Sequence, residues 1–224
     1  EFPSVGATEN ILLAAVLARG ETVLNNPARE PEIQDLATQL NEMGANIAGA
    51  GTSRMTIQGV PELEPTSHRV VPDRLEAGTY IAAGAISRGR VRVEGCLPEH
   101  LRMELKKLSE AGCEVKRGDD WIEVAGPDRP RPVDFATLPV RGFATAMQPQ
   151  IVALLAFAEG TSDETENLYD ARIRYLGELM RMGPDVSTEW QHAVIRGSGS
   201  LRGCPVLAPD IRAGAALVLA GLRA

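Results

Sequence analysis

The sequence predicts an α/β fold built from a repeated module of roughly 70 residues, with apolar helices inside and sheet outside. Three observations carry that prediction. First, four stretches run from polar or small residues into a helix that is apolar nearly all round: Gly6–Gly20, Asp73–Gly89, Ala144–Gly160 and Asp210–Ala224. Second, the glycines that close successive elements share one period. Gly20, Gly89 and Gly160 are separated by 69 and 71 residues, Gly44, Gly112 and Gly183 by 68 and 71, and Gly59, Gly126 and Gly197 by 67 and 71. Third, each of the first three apolar helices is followed by an amphipathic one. Helices apolar on every side must be buried on every side, whereas amphipathic ones can keep a wet face.

The elements of the module follow in order. After the apolar helix comes a short strand, expected at Glu21–Leu24, Arg90–Glu94 and Thr161–Glu164. The amphipathic helix of the first copy follows Pro31 and aligns Ile33, Leu36, Leu40 and Met43. That of the second follows Pro98 and aligns Leu101, Leu105 and Leu108; that of the third carries Leu176, Leu179 and Met180. Each stops at a glycine, the residue that best tolerates the left-handed cap. A hairpin-like strand pair closes the module, for example Glu114–Arg117 and Trp121–Val124 around Gly118-Asp119-Asp120. The period places a module start at Val71–Gly84, where a β-branched pair meets Pro72-Asp73. It also leaves a fourth module begun at Asp210 and unfinished, so the chain reads as a piece of something longer.

Composition excludes several function classes. Among 224 residues, aromatics are 4% and apolar residues 44%, so the core must be built from Ala, Val, Leu and Ile. A net charge of −7, with no basic run longer than two, argues against nucleic-acid partners. No charge-free apolar run reaches 18 residues and no signal-peptide pattern is present, so no membrane partner is expected. Cys96, Cys113 and Cys204 are scattered and odd in number, which suits a reducing, cytoplasmic setting and neither a disulfide framework nor zinc. His68, His100 and His192 lack metal spacing; strand edges and surface positions are expected for His68 and His192. No dinucleotide or P-loop motif and no Ser-His-Asp pattern occurs, and no cofactor is implied.

Six stretches carry a family resemblance: SVGATENILLAA, NNPAREPEI, VVPDRLEAGT, AISRG, FATAMQPQ and APDIRAGAALVLAG. Along its whole length the chain resembles the UDP-N-acetylglucosamine enolpyruvyl transferases, which pass an enolpyruvyl group from phosphoenolpyruvate to the sugar nucleotide in peptidoglycan synthesis. REPEI and PDRxEAGT set it apart from the related shikimate-phosphate transferases. The resemblance implies an inside-out α/β barrel architecture, two domains of three modules each, with the active site in the cleft between them. On that template residues 1–70 are similar to the last module of one domain. Residues 71–224 resemble most of the second: two modules plus a truncated third. The family's early Lys-Asn pair, its mobile loop with a reactive Cys or Asp and its late phosphoenolpyruvate-binding Arg fall outside this sequence. The chain is therefore expected to be incomplete or impaired, and to self-associate through the unfinished module.

The resemblance also suggests site residues. Ser4 and Val5 match the turn that contacts the nucleotide, although Ser4 is equally a plain helix N-cap, and the family's upstream basic residue falls near Phe2. Glu30 matches a carboxylate of the cleft; an acid before a helix is also favoured by the helix dipole. Asp73 matches a cleft position and is an N-cap candidate, with Arg74 beside it free to meet ligand or acids. Leu168 matches a nucleotide contact. Arg172 could grip a phosphate bidentately, or pair with Asp170 or Glu166. Asp210 and Arg212 match the phosphoenolpyruvate end of the site. Where the family reads Phe-[Pro/Ala]-Thr-Asp-[Met/Ile]-Gln, this chain has Ala146 in place of the Asp that serves as general base, with Thr145 keeping a hydroxyl next to it. A positioned base contributes about 10²–10⁴-fold, so Ala146 implies a badly impaired transferase. A non-catalytic sugar-nucleotide-binding or regulatory fragment, and a related transferase with another acceptor, are the alternatives.

Overall fold

Each amphipathic helix of the chain stands on a three-strand antiparallel unit of the same topology, in which the first strand pairs with the third and the third with the second. The computed structural model describes residues 3–140 and 142–224, and the side chains of Asp170 and Ala171 lie outside that description. The chain divides into two units, Glu1–Val71 and Pro72–Ala224.

The first unit holds α1 (Val5–Ala15), β1 (Glu21–Asn25), α2 (Pro31–Glu42), β2 (Asn46–Ala48) and β3 (Arg54–Gln58). Ser4 caps α1 by accepting from the Ala7 amide at 3.3 Å, and Pro31 opens α2, where its missing N–H costs nothing. Sheet order is β1-β3-β2, with Val23 opposite Thr56 and Ile57 opposite Ile47. Leu12, Ile33, Leu40, Met55 and Ile57 form its core. The expectation that α1 is buried on every side is corrected here. Ile11, Leu13 and Leu17 are exposed, because within this unit α1 packs on α2 and β3 and on no second apolar helix.

The second unit holds α3 (Arg74–Ile86), β4 (Arg90–Glu94), α4 (Arg102–Glu110), β5 (Glu114–Arg117), β6 (Trp121–Ala125), β7 (Phe135–Ala136), α5 (Gln148–Leu155), β8 (Gly160–Thr165), α6 (Leu176–Arg181), β9 (Asp185–Glu189), β10 (His192–Gly197) and α7 (Ile211–Gly221). The apolar helices α3, α5 and α7 pack on one another, and α5 is buried along its whole length. The β4-β6-β5 sheet lies against α3, and the β7-β8-β10-β9 sheet against α5. None of the sheets closes into a barrel among the described residues. Three expectations need correction. The third apolar helix starts as a 3₁₀ turn, Thr145–Met147, before α5 proper. Met180 faces solvent, while Leu176 and Leu179 are buried. Ile211, Val218 and Leu222 leave one side of α7 exposed.

The repeat has a physical basis in three glycines. A Cβ on Gly59, Gly126 or Gly197 would run into the carbonyl oxygen of Ala18, Ala85 or Ala158, each at the end of an apolar helix. The last strand of each module therefore passes flush against that helix end. In the first two modules the glycine N–H also donates to the carbonyl of Gly20 or Gly89, at 2.9 Å in both. The helix-ending glycines Gly20, Gly44, Gly112 and Gly183 have φ between +91° and +121°, which explains their residue type. Among the described residues no helix is long and apolar enough to cross a membrane.

Candidate active site

The turn Phe143–Met147 leads into α5 and carries Thr145 and Ala146. Two buried carboxylates hold it from opposite flanks. Glu104 of α4 accepts from the Ala144 amide at 3.1 Å, and Glu166, just past β8, accepts from the Thr145 hydroxyl at 2.7 Å. Burial pushes the Glu104 carboxyl up, while its backbone hydrogen bonds and the charge of Arg74 hold it back.

Glu166 is 1% exposed and fully engaged. Its Oε1 accepts from the Thr137 hydroxyl at 2.8 Å and from the amides of Leu168 and Tyr169 at 2.8 and 3.0 Å. These bonds fold the segment after β8 so that Arg172 returns to the turn. The Arg172 Nε donates to Thr145 Oγ1 at 3.4 Å, and its guanidinium lies 4.9 Å from the centre of the Tyr169 ring. Arg172 thus meets Thr145, and among the described residues no ion pair between Arg172 and Glu166 is seen. The Asp170 side chain lies outside the described residues.

Arg172, Arg174 and Arg212 line a cavity of about 410 Å³ together with Tyr169, Pro209 and Asp210. Asp210 caps α7, accepting from the amides of Arg212 and Ala213 at 2.9 and 3.0 Å. That cap fixes the first turn from which Arg212 projects. Burial, then the neighbouring Arg212 guanidinium, pull the Arg172 guanidinium below its usual value; Asp210, Glu166 and Tyr169 act in the other direction. The Nε of Arg212 is buried without a hydrogen-bond partner. A pocket with crowded guanidinium groups and an unmet donor is suited to an anion, and paired arginines suit phosphate or carboxylate.

The structure therefore brings together Thr145, Arg172, Asp210 and Arg212, with Ala146 half-buried in the same turn. Leu168 is half-buried beside them, held by its amide, and does not line the cavity. Asp73 caps α3, accepting from the Leu75 and Glu76 amides at 2.7 and 3.2 Å, and is also not in the cavity wall. Ser4, Val5 and Glu30 belong to the first unit. There the buried Thr8 hydroxyl donates to the Ser4 carbonyl at 2.8 Å and accepts from the Ala28 amide at 2.9 Å. This joins the Ser4-Val5 turn to the segment that carries Glu30. Glu30 stands at the N-cap of α2 but turns its carboxylate to the Arg29 amide, at 2.8 Å, and does not cap the helix. The position of Phe2 lies outside the described residues.

Sequence reasoning missed Glu104, Tyr169, Arg174 and the central part of Glu166, and it passed over Glu164. The signal was present in Ser162, Glu164 and Glu166, polar residues at alternate positions that all turn inward from a strand. Burial pushes the Glu164 carboxyl up to about 8, with Gln148 opposing and Glu166 adding to the shift. His68 is also corrected: it is neither on a strand edge nor free at the surface. Its ring is held between Glu42 and Asp35, at 2.9 and 3.1 Å, with 8% of the side chain exposed. Cys113 is buried, and burial raises its thiol to about 11, so it is an inert core residue. Among the described residues no three His, Cys, Asp or Glu side chains are grouped to hold a metal ion.

This arrangement of helices and sheets is shared with known enolpyruvyl transferases. A crystal structure of the enolpyruvyl transferase NikO from Streptomyces tendae superposes with a TM-score of 0.83, at 29% identity over 97% of this chain and 52% of that one. An EPSP synthase from Acinetobacter baumannii, 22% identical with a TM-score of 0.72, shares the fold. The family model for EPSP synthase (3-phosphoshikimate 1-carboxyvinyltransferase) matches residues 1–224, and the chain belongs to that family. Similar curated proteins are named UDP-N-acetylglucosamine 1-carboxyvinyltransferase. The one from Nocardia farcinica is 55% identical over 99% of this chain and 52% of its own length, and that from Mycobacterium leprae 53% identical over 99% and 53%. The chain spans about half the length of the curated relatives it matches.

Proposed function

We propose that the chain is part of an enzyme that transfers enolpyruvyl from phosphoenolpyruvate to the 3-hydroxyl of UDP-N-acetylglucosamine, the first committed step of peptidoglycan synthesis. The observation that carries this reading is the convergence of Arg172 and Arg212 on one cavity, with the Thr145-Ala146 turn beside it. The guanidinium groups of Arg172 and Arg212 hold the phosphate and carboxylate of the donor. Thr145 faces the acceptor. Asp73, Glu30 and Asp210 supply carboxylates for proton movement, and Ser4, Val5 and Leu168 contact the nucleotide. Names of the curated relatives support the acceptor, as do the REPEI and PDRLEAGT stretches. We place residues 1–70 in one domain of the complete enzyme and 71–224 in the other. The setting is the cytoplasm, with consequences for cell shape and division.

Ala146 favours a second reading. Its methyl group can neither accept a proton nor hold a sugar hydroxyl, so this chain binds without turning over at a useful rate. The exposed Ile211, Val218 and Leu222 on α7 support self-association, which light scattering tests; a strictly monomeric species removes that part. Phosphate release from phosphoenolpyruvate plus UDP-N-acetylglucosamine separates the two readings. Robust turnover by this chain overturns the impaired form. Absence of turnover with sugar-nucleotide binding in calorimetric titration supports the binding form, and no binding at millimolar ligand contradicts both.

A further inference from the structure

We infer that Glu166 is a positioning residue that sets the polarity of the anion pocket by locking the Thr145 hydroxyl as a hydrogen-bond acceptor toward Arg172; this rests on the anion-pocket reading above. Glu166 is 1% exposed and so cannot reach a ligand in the cavity. An ionised carboxylate can only accept. The Thr145 hydroxyl has one proton, and at 2.7 Å from Glu166 Oε2 that proton is committed. What Thr145 has left are lone pairs, and one of them receives the Arg172 Nε–H at 3.4 Å. The chain Arg172→Thr145→Glu166 therefore runs in one direction. It anchors the Arg172 guanidinium by its Nε edge at the cavity that Arg172 lines. The other oxygen of Glu166 holds the Leu168 and Tyr169 amides, and Tyr169 in turn supports the Arg172 guanidinium. One buried side chain thus orders both routes by which Arg172 is placed.

The inference distinguishes Glu166 from a carboxylate that merely fills space. In Glu166→Gln one of the two oxygens becomes an NH₂ group. The Oε1 side already faces three donors, so the NH₂ takes the Thr145 side. It then donates to Thr145 Oγ1 and no longer takes the hydroxyl proton, so that proton is free to rotate and nothing fixes a lone pair toward the Arg172 Nε–H. The Arg172 anchor is loosened while shape and volume are kept.

The test follows the Arg172 Nε–Hε resonance in the ligand-free chain, then titrates inorganic phosphate, for the original protein, Glu166→Gln, Thr145→Val and the double variant. We expect Glu166→Gln and Thr145→Val each to shift the Arg172 signal and to weaken phosphate binding about tenfold, the loss of one charge-assisted contact. The double variant should be no weaker than either single one, because Glu166 acts through Thr145. Additive losses, or an Arg172 signal moved by neither substitution, overturn the inference. Should Glu166→Gln fail to fold, Thr145→Val alone must still move the Arg172 signal. If the original protein binds no phosphate, the anion-pocket reading falls, and the ligand-free Arg172 signal still decides the part played by Glu166.

Discussion

Arg172 and Thr145, 27 residues apart in the chain, meet through an Nε–H···O bond of 3.4 Å that joins the turn before α5 to the segment after β8. That geometry needs a planar guanidinium, with its Nε edge tied to Thr145 while the residue lines the cavity. Arg172→Lys keeps the charge and loses that edge. We expect it to weaken phosphoenolpyruvate binding about tenfold in calorimetry while leaving the melting temperature nearly unchanged. Unaltered affinity would mean that charge alone is recognised.

Glu164 predicts a pH dependence of the second unit. Both its carboxylate oxygens are buried without a hydrogen-bond partner, and its folded value is about 8. An unfolded Glu titrates near about 4.3. Between these values the folded chain retains a proton that the unfolded chain has lost, so stability falls as pH rises from about 4 to 8. Glu164→Gln removes the ionisable group. It should stabilise the protein at pH 8 by on the order of a few kcal/mol, with the advantage over the original vanishing near pH 4. Chemical denaturation of both proteins at the two pH values measures it.

His68 has the opposite sign. Hydrogen bonds that the ring donates to Glu42 first, then to Asp35, raise its value above the ordinary one. The protonated ring bridges two carboxylates of α2, so its contribution is fully present below about pH 6.5 and is lost as pH rises through the raised folded value. A proton NMR titration should place the His68 midpoint above 6.5, and His68→Gln should remove the corresponding slope from the stability of the first unit. A midpoint at or below 6.5 contradicts the bridge.

Gly126 tests the basis of the repeat. Gly126→Ala sets a methyl group against the Ala85 carbonyl, which neither strand nor helix can easily yield. A loss of about 1–3 kcal/mol or more is expected, seen as a lower melting temperature. Gly6→Ala is the control, because the space around it is open and it lies within α1. That substitution should be neutral or slightly stabilising.

Local pattern made much of this legible. The strand at Arg90–Glu94 and the Glu114–Arg117 strand match the sequence reading residue for residue, and the glycine period marks real helix ends and close approaches. What stayed hidden depends on distance along the chain. Glu166 finds Thr145 and Thr137 across 21 and 29 residues, and His68 finds Glu42 and Asp35 across 26 and 33. No period in a single sequence announces such pairs. β7 escaped for another reason: two residues paired in parallel with β8 are too short to leave an alternation. The exposed side of α1 escaped because composition tells that a helix is apolar, and tells nothing of how many neighbours its own unit supplies.

The most direct test of the account is a heteronuclear NMR titration of the chain with phosphoenolpyruvate. The account predicts saturable shifts centred on Thr145 and on the side chains of Arg172 and Arg212, weakened by Arg172→Lys. Absence of binding at millimolar concentration, or shifts centred away from these residues, would contradict it.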